Sequence, residues 1–317
     1  MSVLSQPRFH DEAKAFEYLE DLIWADGKVC PHCGIVNGRV YDLAGVRSKP
    51  SKKNPEGVVR HGLKKCGECR KQFTVKVGTV FEDAKLPLHK MLQAVHLMMS
   101  SKKGISSHQL SRILEIQYNS AWFLSHRIRE AMRSGDLAPF GSGGGMVEVD
   151  ETYIGRKKGA GYKGGGGSHK MKVLALVDRE TGRSRAMVID STTRAAIEPI
   201  VLANLAKEAR LMTDEALLYK KIGVNFADHQ VVRHYGNEYV RGEAHTNTVE
   251  GYFSIFKRGM RGVYQHCGEQ HLHRYVAEFN FRYDNRVGNG VDDRQRADIA
   301  LKGIVGKRLT YKSADEQ

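Results

Sequence analysis

The chain has 317 residues, enough for two or three domains, and is 41% hydrophobic and 27% charged, which excludes a disordered or fibrous protein. No apolar run approaches the ~20 residues of a membrane span, and the start MSVLSQPRFHDEAK lacks an apolar signal region, so a cytoplasmic protein without a membrane partner is expected. The formal charge of +14 points to a polyanionic partner, and basic residues recur at 49–53, 127–133, 156–158 and 257–261, which suits an extended nucleic-acid path better than a basic tail.

In chain order, residues 8–24 carry a helical apolar pattern, with Phe16, Leu19 and Ile23 on one face. A turn and the knuckle CPHCG follow, then a polar, basic stretch from 36 to 61 with three alternating residues in VYDLAG. The second knuckle, CGEC, is expected to run into a strand in which Phe73, Val75 and Val77 alternate. Residues 87–133 read as helical throughout, and two helices joined at QYN resemble a helix-turn-helix; the second carries Arg127, Arg129 and Arg133, candidate DNA contacts. GSGGG at 141–145 reads as a flexible break and a domain boundary.

Beyond it the period changes. MVEVDETYIG alternates as a strand, and KVLALVDRETGRSRAMVID is a hairpin around ETGR. Between them lies a Gly/Lys-rich loop, 155–170, that is not a P-loop because no G-K-[ST] closes it. TTRAAIEPIVLANLAKEA is a helix, RLMTDEALLYKKIG a short strand and a helix, and HQVVRHY the fifth strand. Two more helices start near Thr246 and His271. Three strands in a meander, then strands alternating with helices, predict a mixed α/β sheet with flanking helices.

The five cysteines include two Cys-x-x-Cys pairs, Cys30/Cys33 and Cys66/Cys69, with 32 residues between the pairs. Four thiolates aimed by two tight knuckles make a closed tetrahedral site, so a structural zinc in a ribbon with a long basic hairpin is expected. An odd count in a cytosolic chain argues against a disulfide framework.

Phosphodiester chemistry on DNA commonly uses two hard cations held by oxygen ligands from different elements. Three acids fit that demand: Asp150 in the first strand, Asp214 after RLMT, and Glu250 in HTNTVEGYFSIFKRG, 36 residues beyond Asp214. In the last stretch Val249, Phe253, Phe256 and Met260 form an apolar stripe, and Glu250, Ser254, Lys257 and Arg261 a polar one. In the first strand Val147 and Val149 point one way, Glu148 and Asp150 the other. The stripe of Tyr275, Phe279 and Tyr283 reads as core.

On these residues the chain resembles the DDE-class insertion-sequence transposases of the ISXO-like branch, which join a zinc ribbon to an RNase-H-like catalytic domain. The resembling motifs are WADGKVCPHCG, CGECRKQFTVKVGTVFE, VEVDETYIG with its Gly/Lys loop, LMTDE, HTNTVEGYFSIFKRGMRGVY and LHRYVAEFNFRYDNR, spanning roughly 15 to 290. The resemblance implies an RNase-H-like mixed sheet at 141–305, preceded by an N-terminal helix and zinc ribbon at 1–85 and a helix-turn-helix-like region at 86–140, with a tail at 306–317. It implies Asp150, Asp214 and Glu250 as ligands of two Mg²⁺ (or Mn²⁺), with Lys257 on a phosphate beside the cut. Some relatives carry asparagine in place of the glutamate, so Asn247 is the alternative third ligand; His245 is an accessory candidate, and Arg258 and Arg261 extend the DNA-binding set. The implied activity is binding of terminal inverted repeats, metal-dependent cleavage and strand transfer, on double-stranded DNA at the element's ends and target, by a homodimer or larger assembly near the nucleoid. Two other classes compete with it: a domesticated zinc-ribbon DNA-binding protein, and an RNase-H-like nuclease without strand transfer.

Overall fold

The computed structural model describes residues 2–52, 54–135, 138–161, 167–233 and 240–310. Lys53, the loop tip 162–166, and His234 and Tyr235 of the expected fifth strand lie outside them. The described chain divides into two units, one of residues 1–101, 105–132 and 293–317, the other of 102–104 and 133–292.

In the first unit, α1 (Glu12–Ile23) begins at Asp11, whose carboxylate accepts the Lys14 N–H as an N-cap. Three short strands follow, β1 (Val40–Asp42), β2 (Lys64–Cys66) and β3 (Gln72–Phe73), in an antiparallel sheet of order β1-β2-β3. The strand expected through Val77 ends at Phe73, because Val77 N–H turns back to the Thr74 carbonyl and Gly78 takes a positive φ of 74°. Helices α2 (Leu88–Ser100), α3 (Ser107–Leu114) and α4 (Tyr118–Ala131) complete the predicted helical stretch.

The last helix, α9 (Asp293–Lys302), packs on α1 and α2 in this unit rather than on the second sheet, where the expected 141–305 domain would have put it. Its Ala297, Ala300 and Leu301 are buried, and Arg296 donates to the Met99 carbonyl at 2.7 Å. An apolar stripe on a short helix needs a partner face, and its pattern does not say which one.

The second unit is a five-stranded sheet of order β6-β5-β4-β7-β8, from β4 (Met146–Ile154), β5 (Met171–Asp178), β6 (Ser184–Ile189), β7 (Arg210–Thr213) and β8 (Asp228–Val231). The meander β4-β5-β6 is antiparallel, while β7 and β8 join parallel to β4, the mixed α/β sheet expected of an RNase-H-like domain. Strand alternation sorts the core into two layers. Val147, Val149, Leu174, Leu176 and Leu211 pack with Ile197 and Val201 of α5 (Arg194–Asn204) and Tyr219 and Ile222 of α6 (Leu217–Gly223). Val173, Ala175 and Val177 pack on the other side, against Val249, Phe253, Phe256 and Met260 of α7 (Asn247–Gly259) and its π-helical extension, and against Tyr275, Val276 and Phe279 of α8 (Leu272–Asp284). The β6 edge is covered: the Asn280 side chain bonds both backbone groups of Ala186, and Asp284 accepts the Ser184 N–H.

The glycine run at 141–145 is an ordered turn, not a flexible break. Gly141 is buried with a φ of 72°, donates its N–H to Asp178, and a Cβ there would meet that of Ala209 at 2.5 Å. Phe140, just before it, already pairs with Leu205 of the second unit.

Candidate functional site

Two chemically distinct centres emerge, one in each unit. In the first unit the thiols of Cys30, Cys33, Cys66 and Cys69 lie within 4.8 Å of one another. The two knuckles repeat one turn: the fourth residue after each leading cysteine, Gly34 and Arg70, adopts positive φ and returns its N–H to the carbonyl of Cys30 or Cys66. Sγ–Sγ separations are 3.7 Å for Cys30–Cys69 and 3.8 Å for Cys33–Cys66. A tetrahedral zinc with Zn–S bonds near 2.3 Å requires about 3.8 Å between sulfurs. Burial is the largest influence on the Cys30 thiol and opposes its ionisation, but the N–H groups of Cys33 and His32, together with the thiols of Cys33 and Cys69, outweigh it and bring the thiol down to about 7. Donor type, number and spacing therefore fit a closed structural zinc, and His32, whose Nε2 faces the Gln72 carbonyl, is not needed.

In the second unit the acids come from three elements. Glu148 of β4 stands opposite Met212 of the parallel β7; Asp150 follows two residues later within β4, and Asp214 two residues later, just past the end of β7. Asp214 is held at the strand end by an Asx turn, its carboxylate accepting the Ala216 N–H at 3.1 Å. Asp150 shares its face with Ala175, the face on which α7 packs. Glu250 stands in the first turn of α7, exposed, with the Thr246 hydroxyl donating to it at 2.8 Å. Asp150 registers the proximity: its carboxyl is pushed up to about 7, by burial first, then by the negative charges of Glu151 and Asp214, with Glu250 contributing.

Among the described residues only the cysteines bring three or more ligand atoms within 4.8 Å of one another, so the acids form a wider cluster than one ion's shell. Asn247 sits one turn before Glu250 on the exposed side of α7. Lys257 lies about 10 Å further along the helix, its Nζ 6.0 Å over the Phe253 ring, and Arg258 and Arg261 are exposed.

Two expected DNA contacts are corrected. Arg129 is 0% and Arg127 8% exposed, with Arg129 donating to Ser125 at 2.9 Å and Arg127 to the Glu82 carbonyl at 3.0 Å. From Leu124 to Arg129 every residue of α4 is buried, so this half of the helix is core, while its first residues, Tyr118 and Asn119, are exposed. Arg133 is exposed. His245 faces inward, its Nδ1 3.1 Å from Glu148 and 2.8 Å from Arg179.

Four participants went unassigned in the sequence. Tyr219 donates to Glu151 at 2.5 Å, 68 positions away, and burial raises that carboxyl. Glu148 and Arg179 form an ion pair at 2.6 Å. The alternation of β4 exposed the orientation of Glu148, but no local signal names partners so distant in the chain.

Comparison with known proteins finds a match in each unit. Residues 143–284 match the model of the ISXO2-like transposase domain, and residues 10–72 that of the transposase zinc-ribbon domain. The chain carries an ISXO2-like transposase domain preceded by a transposase zinc-ribbon domain. The transposase match contains Asp150, Asp214 and Glu250; the ribbon match contains the four cysteines. Over 298 residues the chain is 26% identical to an uncharacterized protein in transposable element ISH50 of Halobacterium salinarum, covering 86% of this chain and 91% of that one. Among solved structures, a simian T-cell lymphotropic virus intasome in complex with PP2A regulatory subunit B56 gamma aligns at 12% identity over 60% of this chain, with a TM-score of 0.29. This chain spans 65% of that chain's length, and a likeness so weak carries no weight. Among the described residues no helix is long and apolar enough to cross a membrane.

Proposed function

We propose that the chain cuts DNA at the terminal repeats of its insertion sequence and joins the freed 3′-OH to target DNA, with Asp150, Asp214 and Glu250 as the metal-holding acids. The observation that carries this reading is the gathering of acids from three elements around Asp150, whose carboxyl is raised by burial first and then by the negative charges of Glu151, Asp214 and Glu250. A cluster of acids that disfavour one another's charge is a site that a divalent cation stabilises. Hard oxygen donors suit Mg²⁺ or Mn²⁺, and a cluster wider than one ion's shell suits ions whose remaining ligands are waters and substrate phosphates. When bound, two such ions supply activation of the attacking oxygen and stabilisation of the leaving one.

The chain's own residues do the rest. Asp150, Asp214 and Glu250 fix where the scissile phosphate sits. Lys257, Arg258 and Arg261, on and just beyond α7, neutralise neighbouring phosphates, with Arg133 a further exposed candidate. Glu250 is favoured over Asn247 because its charge reaches Asp150 and a carboxylate binds Mg²⁺ better than a neutral amide. The zinc ribbon contributes to recognition of the repeats, and joining two ends calls for at least a dimer on DNA, in the cytoplasm.

The test is incubation of the full chain with a plasmid carrying the gene's own flanking repeats and Mg²⁺. Cleavage followed by joined products supports the proposal. Binding without cleavage indicates a domesticated DNA-binding protein, and cleavage without joining a nuclease.

A further inference from the structure

Glu148 has no part in the metal set, yet it is 0% exposed and carries a carboxylate into the core beneath α7. Such a charge is costly unless fully partnered. Its partners are specific. Oε2 accepts the backbone N–H groups of Thr248 and Val249, each at 2.8 Å. Oε1 accepts the Thr248 hydroxyl at 2.7 Å and Arg179 Nε at 2.6 Å, with His245 Nδ1 at 3.1 Å. Arg179 also donates to the carbonyls of Glu243 and His245, at 2.7 Å each, tying down the segment that leads into the helix.

The first N–H groups of a helix have no partner within it and are usually satisfied by an N-cap side chain. The N-cap of α7, Thr246, makes no such bond. Glu148 supplies the cap from a strand 100 positions earlier in the chain, and its negative charge also suits the positive end of the helix dipole. It stands two residues from Asp150 on one side of the contact, and the N–H groups it holds stand one and two residues from Glu250 on the other. A single carboxylate thus fixes the distance between two acids borne on different elements.

We infer that Glu148 is a positioning residue, which sets the spacing of Glu250 against Asp150 by capping α7 from β4. The inference rests on the assignment of those two acids as metal ligands. Either oxygen of Glu148 is engaged with donors, so Gln in its place must turn an NH₂ toward Arg179 or toward the two backbone N–H groups, pushing α7 away. Displacements near 1 Å in such constellations cost on the order of 10²-fold in rate.

The experiment compares zinc-loaded full-length wild type, Glu148→Gln and Thr248→Val, which removes only the hydroxyl donor. Val201→Ala, in the core on the far face of the sheet, controls for lost stability. Mn²⁺ titration followed by electron paramagnetic resonance reads the acids without requiring turnover. Plasmid cleavage is read in parallel, with Asp150→Ala to test the parent assignment. Expected results are a rise of about tenfold in the Mn²⁺ half-saturation for Glu148→Gln and about threefold for Thr248→Val. Cleavage by Glu148→Gln should fall about 100-fold while DNA retention stays within twofold, and Val201→Ala should shift none of these. Should Glu148→Gln fail to fold, Thr248→Val decides. Wild-type Mn²⁺ half-saturation in the folded variants, or an equal shift in Val201→Ala, overturns the inference. Undiminished cleavage by Asp150→Ala overturns the metal assignment itself, and the inference with it.

Discussion

Replacing Asp150 by Asn should stabilise the magnesium-free protein at pH 8 while abolishing strand cleavage, opposite effects that an aspartate kept for structure would not produce. In the folded chain the Asp150 carboxyl is pushed from an ordinary 3.8 to about 7, by burial first and then by Glu151, Asp214 and Glu250. At about 1.4 kcal/mol per tenfold in proton affinity, that difference is an upper limit of about 4 kcal/mol. Because the folded value lies above the unfolded one, the unfolded chain releases its proton first as the pH rises. Stability is therefore lost between pH 3.8 and about 7 and stays level above. An amide has no proton to lose, and its oxygen can still accept the Glu151 N–H that Asp150 takes at 2.8 Å. Variant and wild type should match near pH 4 and diverge by up to about 4 kcal/mol at pH 8. For a domain of this size that is a Tm gain on the order of 10 °C. Mg²⁺ at 100 times its Kd should then raise wild type by about 2.7 kcal/mol and leave the variant unmoved. Thermal unfolding of zinc-loaded protein at pH 4, 6 and 8, with and without Mg²⁺, provides the measurement. If the variant is no more stable than wild type at pH 8 without Mg²⁺, the acids are not crowded and the carboxylate site is wrongly drawn.

Other substitutions separate the remaining roles. Stripping zinc should release four thiols to a thiol reagent and collapse the ribbon's near-ultraviolet dichroism, and Cys66→Ser should abolish stoichiometric zinc by elemental analysis. Arg129→Ala should cost about 3 kcal/mol, measured by denaturant unfolding, and leave the salt dependence of DNA binding unchanged, because the guanidinium is buried. Arg258→Ala and Arg261→Ala should instead each lower the salt slope of DNA binding by about 1 with little change in stability. Phe256→Ala should destabilise by about 3–5 kcal/mol, since the ring is fully buried between α7, α8 and the sheet.

What was legible in the linear chain is what depends on local geometry. The Cys-x-x-Cys spacing aims thiols through turns a few residues long, and the period of Val249, Phe253, Phe256 and Met260 selects the buried side of a helix whatever covers it. Alternation in β4 likewise separated Val147 and Val149 from Glu148 and Asp150. Arrangements that depend on distant partners were not legible. Arg127 and Arg129 look from composition like groups offered to DNA, and only the packing of α4 on its neighbours puts them inside. Glycines at 141–145 look flexible until the contact of Gly141 with Ala209 requires one of them. Glu148 reads as one acid among 36 until the fold carries the start of α7 over it. Sequence alone determined which side chains can bind metal and which faces seek burial. Tertiary structure decided which charges meet, because an electrostatic interaction depends on separation in space and the shielding around it, and chain order encodes neither.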